Sequence, residues 1–221
     1  MPKMSTESQS GGRTATRAAR RQQLINATID SISKRGFSGT TLATVTKGAK
    51  LSHGIVNFHF DSKEDLYDQT LGYLAQEHYD CWKEAMSNAG SDPAEQLVAM
   101  VNADFDKRTC SPKKLAVWFA FWGQAKYRPN YLKIHYTYDD ERYAEMTRLC
   151  SEIVDDGGYG HLNGENVAHW LECLIDGIWL NLLLYPKDAN RIAGREDCLA
   201  FLAQVFPGHF PVASMKSDCQ L

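Results

Sequence analysis

Leu51-Ser52-His53-Gly54-Ile55-Val56-Asn57-Phe58-His59-Phe60-Asp61-Ser62-Lys63-Glu64-Asp65-Leu66 reads as a short helix, a break and the capped start of a long helix, with hydrogen-bonding side chains gathered between them. Ser52 can accept from the free amides of a first turn, and Leu51 brings the chain in from an apolar position. Ile55 and Phe58 fall three apart on one face, which predicts that they pack inward while His53, Asn57 and the outer side of Val56 point elsewhere. Ser62 followed by Asp65 has the spacing of a capping box with Asp in place of Glu, so the long helix starts at Asp61 or Ser62. Lys63 then sits in a first turn, where its charge opposes the positive end of the helix dipole. A nearby phosphate would remove that conflict.

Upstream, Thr40 to Ala49 predicts another helix of one to two turns, with Leu42, Val45 and Ala49 on one face and a tight connection through Lys50 and Leu51. Two short helices joined that closely make a helix-turn-helix, an element suited to a DNA groove. Before them, Arg17 to Arg35 carries Ala18, Leu24, Ile25, Thr28, Ile29 and Ile32 on one stripe and is stopped by Gly36. Three helices can thus close a small core around Leu24, Ile29, Phe37, Leu42, Val45, Ile55 and Phe60.

The segment RGFSGTTLATVTKGAKLSHGIVNFHFDSKEDL, residues 35–66, resembles the DNA-binding head of the TetR family of one-component repressors. The likeness is carried by Gly36-Phe37, Thr40-Thr41, Ala49, Ser52, Gly54, His59-Phe60, Lys63 and Leu66 in that order and spacing. Two positions depart: the family's turn usually has Gly where this chain has Lys50, and Tyr where it has Asn57. A left-handed Lys50 would carry backbone strain. Under the resemblance, base reading falls to His53, Val56 and Asn57, while Thr41, Ser52, Phe58, His59 and Lys63, with Arg17 or Arg21, grip phosphate and sugar.

Charge points the same way without any family. Residues 1–60 hold nine Lys and Arg against Glu7 and Asp30, a net of plus seven, whereas the whole chain is minus three, so residues 61–221 carry minus ten. One end attracts polyanions and the other does not. A basic amphipathic helix could instead lie on a membrane, but that would leave the two following short helices without a purpose.

A length of 221 residues allows a small head and a larger core. The expected division is a disordered tail over 1–13, the helix-turn-helix domain over 14–61, a helical ligand-binding and dimerisation domain over 62–207 and a flexible tail over 208–221. No secretory apolar region is evident. The most apolar run, Cys173 to Leu184, is interrupted by Asp176, Gly177 and Asn181 and predicts a buried helix rather than a membrane span. Cysteines at 81, 110, 150, 173, 198 and 219 show no metal-ligand spacing, which favours reduced packing thiols and a cytoplasmic location.

Beyond residue 62 there is almost no strand alternation but regular helix punctuation. Helices are expected from Ser62 to about Ser87, from Asp92-Pro93, from Ser111-Pro112 to about Tyr127, from Pro129 to about Asp155, from Asn163 or Gly164 to Tyr185, and from Asp188 to Phe206. The fold class is therefore all-α, with nine helices: three in the head and six behind, the count of a TetR-type fold.

The second half resembles one branch of that family, the BetI-type repressors of choline-to-glycine-betaine synthesis. The resemblance rests on Lys114 to Ala125 (KLAVWFAFWGQA), Pro129, Arg142, Leu149 and Leu174 to Leu180 (LIDGIWL). Trp118 and Trp122 are four apart and stack on one helix face with Phe121 beside them; Tyr127, Tyr131, Tyr136, Tyr138 and Tyr143 follow. Aromatic faces with one carboxylate hold a quaternary ammonium, each face contributing about 0.5–2 kcal/mol once desolvated. The candidate ligand-binding set is Trp118, Phe121, Trp122, Tyr138, Asp176 and Trp179, with Asp176 as the counter-charge. The plainer readings stay open: such an aromatic stripe is ordinarily core, and Asp176 can instead be a structural ion pair with Arg142 or Arg148.

His78, His135, His161 and His169 have no metal spacing, and there is no nucleophile elbow, phosphate-binding Gly loop or evident acid pair, so neither metal, cofactor nor catalysis is expected. Three functions follow. The first is a repressor of choline uptake or betaine synthesis genes, binding double-stranded operator DNA as a homodimer through helices eight and nine and released by choline or a related quaternary ammonium. The second is a repressor of the same architecture answering another small apolar or amine ligand. The third is a helical ligand-carrying or interaction protein.

Overall fold

The computed structural model describes residues 8–187 and 189–210, with side chains from residue 16 onward. Among the described residues there are nine α-helices and no strand: α1 Ser8–Gly39, α2 Leu42–Ala49, α3 Ile55–His59, α4 Lys63–Asn88, α5 Pro93–Asp104, α6 Pro112–Ala125, α7 Pro129–Asp156, α8 Gly164–Leu184 and α9 Arg191–Val205. The all-α expectation and its helix count agree with this. Residues 8–13, expected as tail, are helical; residues 1–7 and 211–221 of the expected tails lie outside the described residues.

Two compact units are present, residues 1–73 and residues 74–221. The division falls inside α4 rather than at 61/62, because the first turns of α4 are part of the head's core. Leu66, Tyr67 and Leu71 are buried, the Tyr67 hydroxyl donates to the Thr40 carbonyl at 3.0 Å, and the Phe37 and Tyr67 rings meet edge to face at 4.9 Å.

In the first unit α1 loses helical geometry at Gly36, whose φ of 65° suits a residue without Cβ. Thr40 Oγ1 donates to the Gly36 carbonyl at 2.8 Å and pairs with Ser31 Oγ at 3.0 Å, fixing the turn. Thr41 caps α2 in a reciprocal box with Thr44. Lys50 ends α2 in the left-handed region, φ 53° and ψ 40°, which is the conformation the missing glycine would have eased.

The short third helix departs from expectation. Gly54, not Ser52, is its cap, and no side chain caps it; the Ser52 carbonyl accepts the Ile55 N–H at 3.1 Å instead. The later start turns the helix about its axis. Val56 becomes the core residue, only 1% exposed, alongside Leu24, Ile25, Ile29, Val45, Ala49 and Phe60, while Phe58 is 62% exposed and Ile55 only half-buried. The predicted start of α4 holds: Ser62 Oγ accepts from the Asp65 N–H at 3.0 Å, and the Asp65 carboxylate accepts from the Asp61 N–H at 3.0 Å.

In the second unit polar side chains cap the starts of α5, α6, α8 and α9, while α7 starts at Pro129 without a side-chain cap. Asp92 Oδ1 accepts from the Ala94 and Glu95 amides at 2.8 and 3.1 Å, Ser111 caps α6 and Asn163 caps α8. Asn190 caps α9, which therefore begins at Arg191 and not at Asp188. The core is built on α8, whose Val167, Leu171, Ile175, Trp179 and Leu182 are buried among its neighbours. By length and composition α8 could cross a membrane. Gly194 lets α9 approach closely, since a Cβ there would collide with Ile178 and crowd Phe105. Residues 208–210, expected as tail, are packed: the Gly208 N–H donates to the Tyr159 hydroxyl at 2.9 Å and Phe210 is buried.

Candidate DNA-reading face and ligand cavity

On the first unit, His53, Asn57 and Phe58 are exposed on and before α3. Val56 is not, so the base contact expected of it is unavailable: its side chain belongs to the core of the helix-turn-helix. Arg17 lies over the exposed Phe58 ring, 5.1 Å from its centroid. Arg21 lies 5.5 Å from the Phe60 centroid and donates to Gln69 at 2.5 Å. Both guanidinium groups are thus held beside α3 by ring faces. Ser52 and Thr41 are exposed, the latter also acting as cap, and Lys63 Nζ sits 5.2 Å from the Tyr67 ring. Partial burial, Arg17 and Arg21 together lower the pKa of His59, favouring the neutral ring. Its Nδ1 is shielded and has no hydrogen-bond partner.

In the second unit, α4, α5, α6, α7 and α8 surround a cavity with about 480 Å³ of unoccupied space, part of it open to solvent. Five of the six expected ligand residues line it: Trp118, Trp122, Tyr138, Asp176 and Trp179. The Trp118 and Trp122 rings are 6.3 Å apart, and His135 meets both edge to face at 6.5 and 6.2 Å. Phe121 does not line the cavity; it is buried against Tyr131, ring to ring at 5.0 Å. Its offset from Trp118 and Trp122 on α6 turns it into the core.

Residues far apart in sequence complete the wall. Tyr79 and Trp82 come from α4 and stand edge to face at 5.3 Å, and Tyr79 meets Tyr138 at 6.1 Å. Beneath the rings lies a buried ionic cluster centred on Arg142, which is 2% exposed. Its Nε donates to Asp139 at 3.2 Å, its Nη1 to Asp104 at 3.3 Å and its Nη2 to Glu172. His78 Nε2 pairs with Asp104 at 2.7 Å, and the Trp179 indole donates to the Asp104 carbonyl at 3.1 Å. Arg142 therefore belongs to three other acids and not to Asp176; Arg148, the other expected partner, pairs on the surface with Glu145 and Glu152.

Electrostatics follow from this count. Asp104, Asp139, Glu172 and Asp176 line one cavity with a single arginine. Burial pushes Asp139 up, but Arg142 and His135 outweigh it and hold its pKa below the usual value. Burial and neighbouring acids raise Glu172 despite Arg142. Asp176 has no hydrogen bond to any described residue; burial first, and then Glu172, push its carboxyl up to about 7. A cation entering the cavity would relieve that repulsion. None of His78, Asp104, Asp139 or Glu172 stands in a sequence motif. Helical spacing could have flagged two of them: Glu172, four residues before Asp176, and Asp139, three residues before Arg142.

Both halves of the chain match known families. Residues 24–70 match the tetR family of bacterial regulatory proteins, and residues 93–207 match the C-terminal part of BetI-type transcriptional repressors. The chain belongs to the BetI-type branch of the TetR family. Among BetI relatives, the HTH-type transcriptional regulator BetI of Burkholderia thailandensis is 33% identical over 74% of this chain and 82% of its own. That of Stenotrophomonas maltophilia is 29% identical over 83% and 91%. A putative transcriptional regulator from Pseudomonas aeruginosa PAO1 superposes with a TM-score of 0.75 at 25% identity, covering 87% of this chain and 93% of that one. A putative regulator from Saccharomonospora viridis, solved in complex with choline, shares the fold with a TM-score of 0.71 at 18% identity, over 84% and 96%. This BetI-type protein is accordingly a DNA-binding transcriptional repressor of the dimeric TetR kind and not an enzyme.

Proposed function

We propose that this BetI-type repressor is released from its operator by a small quaternary ammonium such as choline, and that it controls choline uptake or glycine betaine synthesis genes in the cytoplasm. The observation that carries the reading is the cavity itself: ring faces of Trp118, Trp122, Tyr138 and Trp179 beside Asp176, a carboxyl with no hydrogen-bond partner. Aromatic rings and a spare negative charge favour a cation whose charge is spread over methyl groups. The choline found in the Saccharomonospora viridis regulator supports the same reading.

On the DNA side, His53 and Asn57 read bases, with Phe58 and Arg17 beside them, while Thr41, Ser52, His59, Lys63 and Arg21 hold the backbone. Two such heads reach successive major grooves only when a dimer holds them about 34–36 Å apart. The exposed Trp170, Leu180 and Leu184 of α8 and Ile192 of α9 are apolar enough to serve as that seam. α4 carries Lys63 at its start and His78, Tyr79 and Trp82 further along, so a cation among the latter can bias the helix that bears the former.

The test is a titration of labelled DNA from the gene's own upstream region, repeated with choline, betaine aldehyde and unrelated amines. Choline is expected to weaken operator binding tenfold to a hundredfold, a coupling of about 1.4–2.7 kcal/mol. Equal operator affinity at saturating choline rejects the reading, and release by another amine alone would assign the repressor to that ligand.

A further inference from the structure

Besides Asp176, two residues lining the cavity each carry a polar atom that is shielded from solvent and unpaired. Glu172 gives Oε1 to Arg142, while its Oε2 is shielded from solvent and unpaired; Trp82 presents an indole N–H that is also shielded and unpaired. One orphan accepts and the other donates. Buried polar atoms are rarely left so, and each carries a desolvation penalty that a ligand group could remove.

The one guanidinium of the wall and the donors nearest to it are already engaged. All three nitrogens of Arg142 face acids, the Nε2 of His78 pairs with Asp104, and the Trp179 indole is held by the Asp104 carbonyl. A ligand carboxylate would therefore meet no free cation here, but instead the unpaired oxygen of Glu172 and the carboxyl of Asp176. A hydroxyl is different, because it donates and accepts at once.

We propose that Glu172 and Trp82 set the specificity of the cavity by binding one ligand hydroxyl, Oε2 accepting its proton and the indole N–H donating to its oxygen, so that a quaternary ammonium alcohol is taken and a quaternary ammonium carboxylate refused. This rests on the cation reading of the cavity given above and goes beyond it by naming the residues that read the other end of the ligand. A methyl ammonium without any polar end would bind through the rings and Asp176 alone, leaving both orphans unsatisfied.

Calorimetry on the full-length protein with choline, glycine betaine and tetramethylammonium decides the matter. Choline should bind at least about tenfold more tightly than either of the others, the effect expected of one charge-assisted hydrogen bond. Choline and glycine betaine binding within about twofold of each other would overturn the proposal while leaving the cation reading intact; no binding by any of the three would reject the cation reading itself. Glu172→Gln can keep an amide oxygen for Arg142 and turn an NH2 group toward the vacant position. It should therefore lose the preference for choline and gain affinity for glycine betaine. Trp82→Phe should narrow the ratio of choline to tetramethylammonium affinity. If Glu172→Gln folds, as judged by its thermal melt, and keeps the wild-type preference, Glu172 has no such role; if it does not fold, the wild-type ligand ratios and Trp82→Phe still decide.

Discussion

Asp176 is the residue on which charge and ligand meet. Burial and the neighbouring Glu172 carboxylate push its carboxyl up to about 7, well above an ordinary aspartate. Because the folded value is raised, the stability that protonation brings is fully present below the unfolded value of about 3.9 and is lost as pH rises through about 7. Asp176→Asn should therefore raise the thermal midpoint of the ligand-free protein most at about pH 8, by less at about pH 5, and leave it nearly unchanged at about pH 3. Cation binding has the opposite sign, since it favours the ionised carboxylate: choline affinity should rise roughly tenfold between about pH 6 and pH 8 in the wild type and lose that slope in Asp176→Asn. A wild-type affinity independent of pH would remove Asp176 from the site. The cysteines behave differently: burial pushes the Cys81 thiol up to about 11 and those of Cys110, Cys150 and Cys198 up to about 12, which makes them inert packing groups.

Among the elements, the turn between α2 and α3 is the strained one. Lys50 occupies the left-handed region with a Cβ in place, a conformation costing an L-residue about 1–2 kcal/mol. Lys50→Gly removes that cost and returns part of it as chain entropy, so the head should gain about 0.5–1 kcal/mol. Chemical denaturation followed by circular dichroism checks it; an unchanged or lower midpoint would mean that the lysine stem makes up the difference. The strain lies immediately before α3, the element whose register decides which side chains face DNA. A half-turn error in that register exchanges Val56 for Phe58, as the difference between expected and observed burial makes plain.

For the whole molecule, the consequence lies in assembly. Trp170, Leu180, Leu184 and Ile192 leave apolar surface on α8 and α9, and the proposed seam uses it. Leu184→Glu changes an exposed residue, so each chain should remain folded. Sedimentation should then show a shift from dimer to monomer, and operator affinity should fall by at least tenfold, because one head retains only half of the phosphate contacts. A variant that stays dimeric and binds the operator normally would move the seam elsewhere.

The local rules in the chain determined the helices themselves. Asp92-Pro93, Ser111-Pro112 and Asn163 start helices and Gly36 breaks one through backbone chemistry within a few residues, so these four boundaries needed no tertiary information, and the start of α9 shifted only from Asp188 to the residue after Asn190. The charge division between head and remainder was equally a property of composition. The tertiary structure alone decided the wall of the cavity, because Tyr79, Asp104, Arg142 and Glu172 come from four helices and have no spacing in common. It also decided that Arg142 belongs to Asp104, Asp139 and Glu172, leaving Asp176 open. The physical reason is range: caps and helical periodicity act over a few residues along the chain, whereas burial and pairing of charge depend on which helices pack together in space.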